Sequence, residues 1–157
     1  MAANLAGLST LGITLGYGVE TSAGSKPNSF VALDRVNSIG GISMDTEQID
    51  ASALEDLATK YIAGRADTSG KWEVVINYTE ETCEQLKDMI DAYTSLTDSK
   101  QMWFEVVIPG MSDGLFVIAQ PPQVIPMPEL SQNSLLTVTI SLTIVEYKGQ
   151  SAKVALS

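Results

Sequence analysis

The chain contains no histidine among its 157 residues and only one cysteine, Cys83. Without imidazole it lacks the commonest general base, the usual partner of a nucleophilic serine or cysteine, and the favoured transition-metal ligand. A single cysteine excludes an internal disulfide and a cysteine-based zinc site. Basic residues are few as well. Nine Lys and Arg stand against nineteen Asp and Glu, for a net charge of −10, and the nine are scattered singly. Nucleic-acid readers hold phosphates with Lys and Arg patches that displace counterions, and no such patch is present. No apolar run approaches the ~18–20 residues that span a bilayer. The opening "MAANLAGLSTLGITLGYG" is mildly apolar, but its first basic residue is Lys26 and glycines interrupt it. It therefore reads as mature sequence rather than a leader, with synthesis in the cytoplasm expected. Catalysis, a firm grip on DNA and a membrane helix are all disfavoured; no metal and no cofactor is expected.

What is present reads as strands. A chain of this length fits a single domain, 1–157, burying roughly 70% of its unfolded surface. "FVALDRV" (30–36) and "IGGISMDTEQID" (39–50) read as strands, with Gly40 and Gly41 marking a bend. In the second, Ser43, Asp45 and Glu47 share one face. "KWEVVINY" (71–78) places Trp72, Val74, Ile76 and Tyr78 together. Thr79 is placed to cap a helix over 80–93, with Glu80 and Glu81 in its first turn and Cys83, Leu86, Met89, Ile90 and Tyr93 as its apolar stripe. "QMWFEVVIP" and "GLFVIAQ" flank a tight turn and read as a hairpin. "PPQVIPMPEL" is proline-punctuated and suits an edge segment or linker. Finally, "SLLTVTISLTIVEYKG" alternates: Leu136, Val138, Ile140, Leu142 and Ile144 face one way, and Thr137, Thr139, Ser141 and Thr143 the other. The fold class is mainly β (α+β), with an antiparallel sheet and one firm helix.

Between the strands at 39–50 and 71–78 lies "ASALEDLATKYIAGRADTSG". Ser52 and Glu55 have capping-box spacing, and Leu54, Leu57, Ala58, Tyr61 and Ile62 fall on one helical face. The pattern predicts two to three turns of helix ending near Gly64. A helix this short is marginal alone and needs something to pack against. The long Thr/Ser-faced strand raises a similar question. It is either a central strand with a solvated back, or an edge that neighbouring copies complete.

Together these features resemble the major tail-tube proteins of long-tailed, non-contractile phages. The resemblance rests on "LSTLGITLGYGVE" as an opening strand and on the segment from "FVALDRV" through the Ile-Asp pair and "LEDLATKYIAGRADTSG" to "KWEVVINY". The helix "EETCEQLKDMIDAY", the hairpin and the long Thr-alternating strand follow in order. It implies a sandwich- or barrel-like tail-tube fold with residues 1–29 as N-terminal arm and first strand, 50–70 as a stacking loop or short helix, and 148–157 as a C-terminal tail. It further implies hexameric rings stacked into a hollow tube through which DNA is ejected. The partners would be other copies of the chain and tail-tip, tape-measure and tail-terminator proteins. DNA would pass without specific binding, no membrane would be involved, and the protein would reside in the virion tail.

An acidic or hydroxyl lumen would repel DNA weakly, with screening over ~8 Å, so transit would meet no strong binding site. Ser43, Asp45, Glu47, Thr137, Thr139, Ser141 and Thr143 are the candidate lining residues; alternatively, Asp45 and Glu47 solvate an outer face. Asp50, Leu54, Glu55, Asp56, Leu57, Tyr61, Ile62, Arg65 and Asp67 are the candidate inter-ring and inter-subunit contacts. Arg35, Arg65 and Lys71 could pair with Asp50, Glu55, Asp56 or Asp67. The rival functions are the inner tube of a contractile tail, bacteriocin or secretion system, and a monomeric β binding module. A carboxylate enzyme would need a cleft for which the chain has little material.

Overall fold

The computed structural model describes residues 12–53, 57–58, 60–67, 70–154 and 156. Nine strands and one helix occur among them: β1 (Thr14–Val19), β2 (Val31–Leu33), β3 (Val36–Ile39), β4 (Asp45–Asp50), β5 (Tyr61–Asp67), β6 (Lys71–Asn77), α1 (Glu80–Thr94), β7 (Met102–Val107), β8 (Asp113–Gln120) and β9 (Thr137–Ala152). Seven strands form one antiparallel sheet in the order β2-β1-β7-β8-β9-β6-β3, while β4 and β5 pair as a separate two-stranded ribbon.

β9 organises the sheet because it outruns its partners. Its first half pairs with β6, from Thr137↔Asn77 to Thr143↔Lys71, and its second half pairs with β8, from Thr143↔Gln120 to Ala152↔Asp113. The expected alternation holds from Val138 on: Val138, Ile140, Leu142 and Ile144 are buried and Thr139, Ser141 and Thr143 exposed, whereas Leu136 precedes the strand and is exposed. The sheet also curls. β6 and β7 are three strand spacings apart, about 14 Å along a flat sheet. Yet the Trp72 and Phe104 rings meet edge to face with centroids 5.9 Å apart. One continuous core therefore fills the inside of the curl, with Leu15, Tyr17, Trp72, Val74, Ile76, Phe104, Val117 and Ile140 among its members. Leu86 and Met89 of α1 join that core and cover its helix side. Thr79 caps the helix as expected: its Oγ1 accepts from the Thr82 N–H at 3.2 Å, and its own N–H donates to Thr82 Oγ1 at 2.9 Å.

Three expectations need correction. The strand at 30–36 is divided at Arg35, whose φ of 55° turns the chain between β2 and β3. The strand at 39–50 is two elements, because Gly40 is pinned against β6 by its N–H to the Glu73 carbonyl at 2.7 Å. The helix over 53–62 does not extend through its second half. Tyr61 and Ile62 begin β5 and pair with Asp50 and Ile49. Ser52 does not cap a helix. Its Oγ accepts the Lys60 N–H at 2.6 Å, and the Ala51 N–H donates to the Lys60 carbonyl at 2.8 Å, which closes a hairpin. A β ladder along seven residues satisfies more backbone than a marginal helix of three turns. Leu54, Glu55 and Asp56 lie outside the described residues.

Candidate functional site

The hydroxyl residues form one surface. Thr139, Ser141 and Thr143 project from the exposed face of β9, with Thr137 half-buried at its start. Register places Asn77, Val75, Glu73 and Lys71 of β6 directly opposite them, and Gln120 of β8 opposite Thr143. Lys71 and Glu73 pair on this face at 3.0 Å. Lys71 thus has a partner within its own chain rather than among the acids expected for it. Apart from Val75 the surface is polar, and its one cation and one anion balance, so it can face water or a polyanion.

The candidate acids are elsewhere. Asp45 and Glu47 stand on β4 and Ser43 just before it, and all three are exposed. They belong to the ribbon, so the structure does not place them in one sheet with the β9 hydroxyls. Every residue of β4 is exposed, and Met44, Ile49 and Leu57 are large apolar side chains open to solvent. Asp50 ends β4 and accepts the Ser52 N–H at 2.9 Å, a bond that holds its carboxyl below the usual carboxylate range. The backbones of Tyr61, Ile62, Arg65 and Asp67 lie in β5, with Asp67 opposite Asp45. A two-stranded ribbon is marginal in water by itself. This one carries exposed apolar groups and has no further strand partner among the described residues.

Two acids that sequence reasoning missed are buried in the sheet. Glu20 directly follows β1 and has 3% of its surface exposed. It accepts the Trp103 indole N–H at 2.8 Å and the Gln101 N–H at 2.8 Å. Glu105 is fully buried in β7. The signal was available in "WFEVV", where a lone acid interrupts an apolar strand. Among the described residues, no cluster of three or more His, Cys, Asp or Glu could hold a metal ion, and no helix is long and apolar enough to cross a membrane.

A cavity of ≈ 750 Å³ forms a mainly apolar cleft beside the β3 edge. Ile13, Val36, Ile39, Ile42, Trp72 and Tyr147 are among its lining. Among the described residues no carboxylate or basic side chain lines it.

No family model and no curated protein sequence matches the chain. Solved structures do match its fold. A chain of an extracellular contractile injection system, the PVC sheath–tube complex in its extended state, superposes with a TM-score of 0.57 at 12% identity, covering 94% of this chain and 93% of that one. A chain from the tail of an empty GTA particle, with C6 symmetry, gives 0.54 at 14% identity, covering 90% and 95%. A chain from the anti-feeding prophage baseplate, six-fold symmetrised, gives 0.50 at 10% identity, covering 96% of each. At these identities the likeness defines a class of fold, that of chains found in tail and injection-system particles. The non-contractile tail suggested by the sequence resemblance is not singled out.

Proposed function

We propose that this chain is the tube subunit of a tail or injection apparatus, assembling into hexameric rings that stack into a hollow conduit. The observation that carries the reading is the β4–β5 ribbon. It stands outside the main sheet with β4 wholly exposed and with Met44, Ile49 and Leu57 unburied, an arrangement that a neighbouring copy would complete. Two of the three structural neighbours come from particles described as six-fold symmetric, and all three match nearly end to end. The ribbon, residues 45–67, makes the contact between stacked rings. The hydroxyl face of β9 and the acids Asp45 and Glu47 line the passage, which lets DNA or another polyanion slide past without capture. The role is structural and non-catalytic, and the protein resides in the assembled particle. Tail-tip, tape-measure and terminator proteins are the partners that would start, measure and stop the tube.

The likeness to a chain of a sheath–tube complex favours the contractile kind of tail over the non-contractile kind. A sheath separates the two. Tubes of this protein mixed with the products of neighbouring genes recruit a sheath in the contractile case and remain bare in the other. Ring formation itself is tested by electron microscopy of the purified chain.

A further inference from the structure

The curled sheet has a second apolar patch on its outer face. Phe30, Trp103, Phe116 and Ile118 form it, and Val154 and Leu156 of the C-terminal segment pack over them. The register explains why a groove exists here. Gly16 and Gly18 of β1 lie opposite Glu105 and Trp103 of β7, so β1 contributes no side chain to this face at those two positions. Leu156 fills the space: its Cδ2 lies 2.4 Å from where a Cβ on Gly16 would stand. A parallel bridge between Phe30 and Leu156 and the Val154 N–H donating to Glu105 Oε2 at 2.9 Å complete the docking. Lys26 Nζ braces the base of the segment. It donates to the Ala152 carbonyl at 2.6 Å and to Ser151 Oγ at 3.0 Å, and it sits 3.7 Å from the centroid of the Phe116 ring.

Glu105 is the weak point of this arrangement. It is fully buried, and its Oε1 has no hydrogen-bond partner among the described residues. A buried carboxylate left partly unsatisfied is costly in its charged form. The groups that face it are Gly16 from β1, Gly114 and Phe116 from β8, and the segment's Val154 N–H; the charged ones nearby are Lys26 and Lys153. Burial raises its pKa above the ordinary value, while the Val154 N–H, Lys26 and Lys153 pull it down without cancelling the rise. We propose that the segment after β9, docked through Val154 and Leu156, is a releasable strap, opened by the negative charge of Glu105, and that release bares the Phe30–Trp103–Phe116–Ile118 face to a second copy of this chain. A second copy is the fitting occupant because the groove already accepts this chain's own segment, and an identical segment from a neighbour reproduces each contact. The partner half of this inference rests on the tube-subunit reading. The sign follows from linkage. A carboxyl whose pKa is raised on closure favours the closed strap at low pH and disfavours it as pH rises through the closed-state pKa.

Hydrogen exchange read by mass spectrometry on the full chain tests it, with wild type and Glu105→Gln compared at pH 5 and again at pH 8. Comparison at one pH cancels the intrinsic exchange rate. At pH 8 the C-terminal peptide containing Val154 exchanges more slowly in the variant, roughly tenfold for each unit by which closure raises the carboxyl's pKa. At pH 5 the difference shrinks or vanishes, and the helix peptide 80–94 is the same in both proteins throughout. Equal exchange at pH 8, or an equal difference at both pH values, overturns the strap. Sedimentation of the same samples reads the partner: wild type self-associates at lower concentration than the variant at pH 8. Equal association despite a closed strap removes the second copy as occupant. A chain that never associates at either pH, with or without a tail-tip complex to nucleate it, refutes the tube-subunit reading, while exchange still reports separately on the strap.

Discussion

The indole nitrogen of Trp72 donates to the carbonyl oxygen of Gly40 at 2.6 Å, and the Gly40 N–H returns to the Glu73 carbonyl at 2.7 Å. These two bonds fix the point where the chain leaves the main sheet to build the ribbon. A Cβ at position 40 would lie 2.8 Å from the Glu73 carbonyl oxygen, a backbone atom that cannot move aside. Gly40→Ala should therefore lower stability by about 1–3 kcal/mol, as overpacking does. Trp72→Phe should cost a similar amount through the orphaned carbonyl and the lost ring volume. Denaturant unfolding followed by circular dichroism checks both, and an unchanged midpoint in Gly40→Ala would contradict the pinned geometry.

The ribbon is expected to matter for assembly far more than for folding. Ile49 is 45% exposed in the subunit, so Ile49→Asp should change its stability by no more than about 0.5 kcal/mol. The same charge buried between stacked copies should abolish tube growth. Thermal unfolding and electron microscopy of one preparation read the two effects independently.

Reversing the acids Asp45 and Glu47 to lysine tests the passage. Each subunit gains four units of positive charge, repeated around every ring. Tubes of the variant should retain DNA at low salt and release it as salt rises, since phosphate contacts displace counterions. Wild-type tubes should retain none at any salt. Retention that is equal in the two would place these acids away from the lumen.

Glu20 ties the end of β1 to β7 through the Trp103 indole and the Gln101 amide. Glu20→Ala leaves these two donors and the Gly24 N–H, 3.2 Å from Oε1, without that acceptor and should cost about 1.5–3 kcal/mol, the usual range for bonds to a charged group. Glu20→Gln should recover part of the loss. Unfolding midpoints of the two variants, with Trp103 emission as a local reporter, measure the difference.

The Asp50–Ser52 bond gives the hairpin a pH dependence. Asp50 has its carboxyl pKa lowered in the folded chain, so its contribution to closure is present above the ordinary value of 3.8 and is lost as pH falls through the lower, folded value. The Ser52 amide resonance should move with that titration, and Asp50→Asn should flatten the response.

Much of the fold was legible in the sequence because it rests on local periodicity. The alternation of β9 and the stripe of α1 with its Thr79 cap each follow from residues a few positions apart. β5 was obscured because Leu54, Leu57, Ala58, Tyr61 and Ile62 carry a helical period, whereas Tyr61 and Ile62 are placed by pairing to β4 across a hairpin. The hydroxyl surface was readable from Thr139, Ser141 and Thr143. Its separation from Asp45 and Glu47 was not, since strand order is a property of the whole sheet. Glu105 was visible as an acid in an apolar strand, but only the register with Gly16 and the return of Leu156 show what it holds.

Electron microscopy of the purified chain over a concentration series, with sedimentation velocity on the same samples, tests the central claim most directly. Six-fold rings and hollow tubes are expected, in a fraction that rises with concentration and disappears in Ile49→Asp. A species that remains monomeric at every concentration, with and without a tail-tip complex to nucleate it, would contradict the tube-subunit reading.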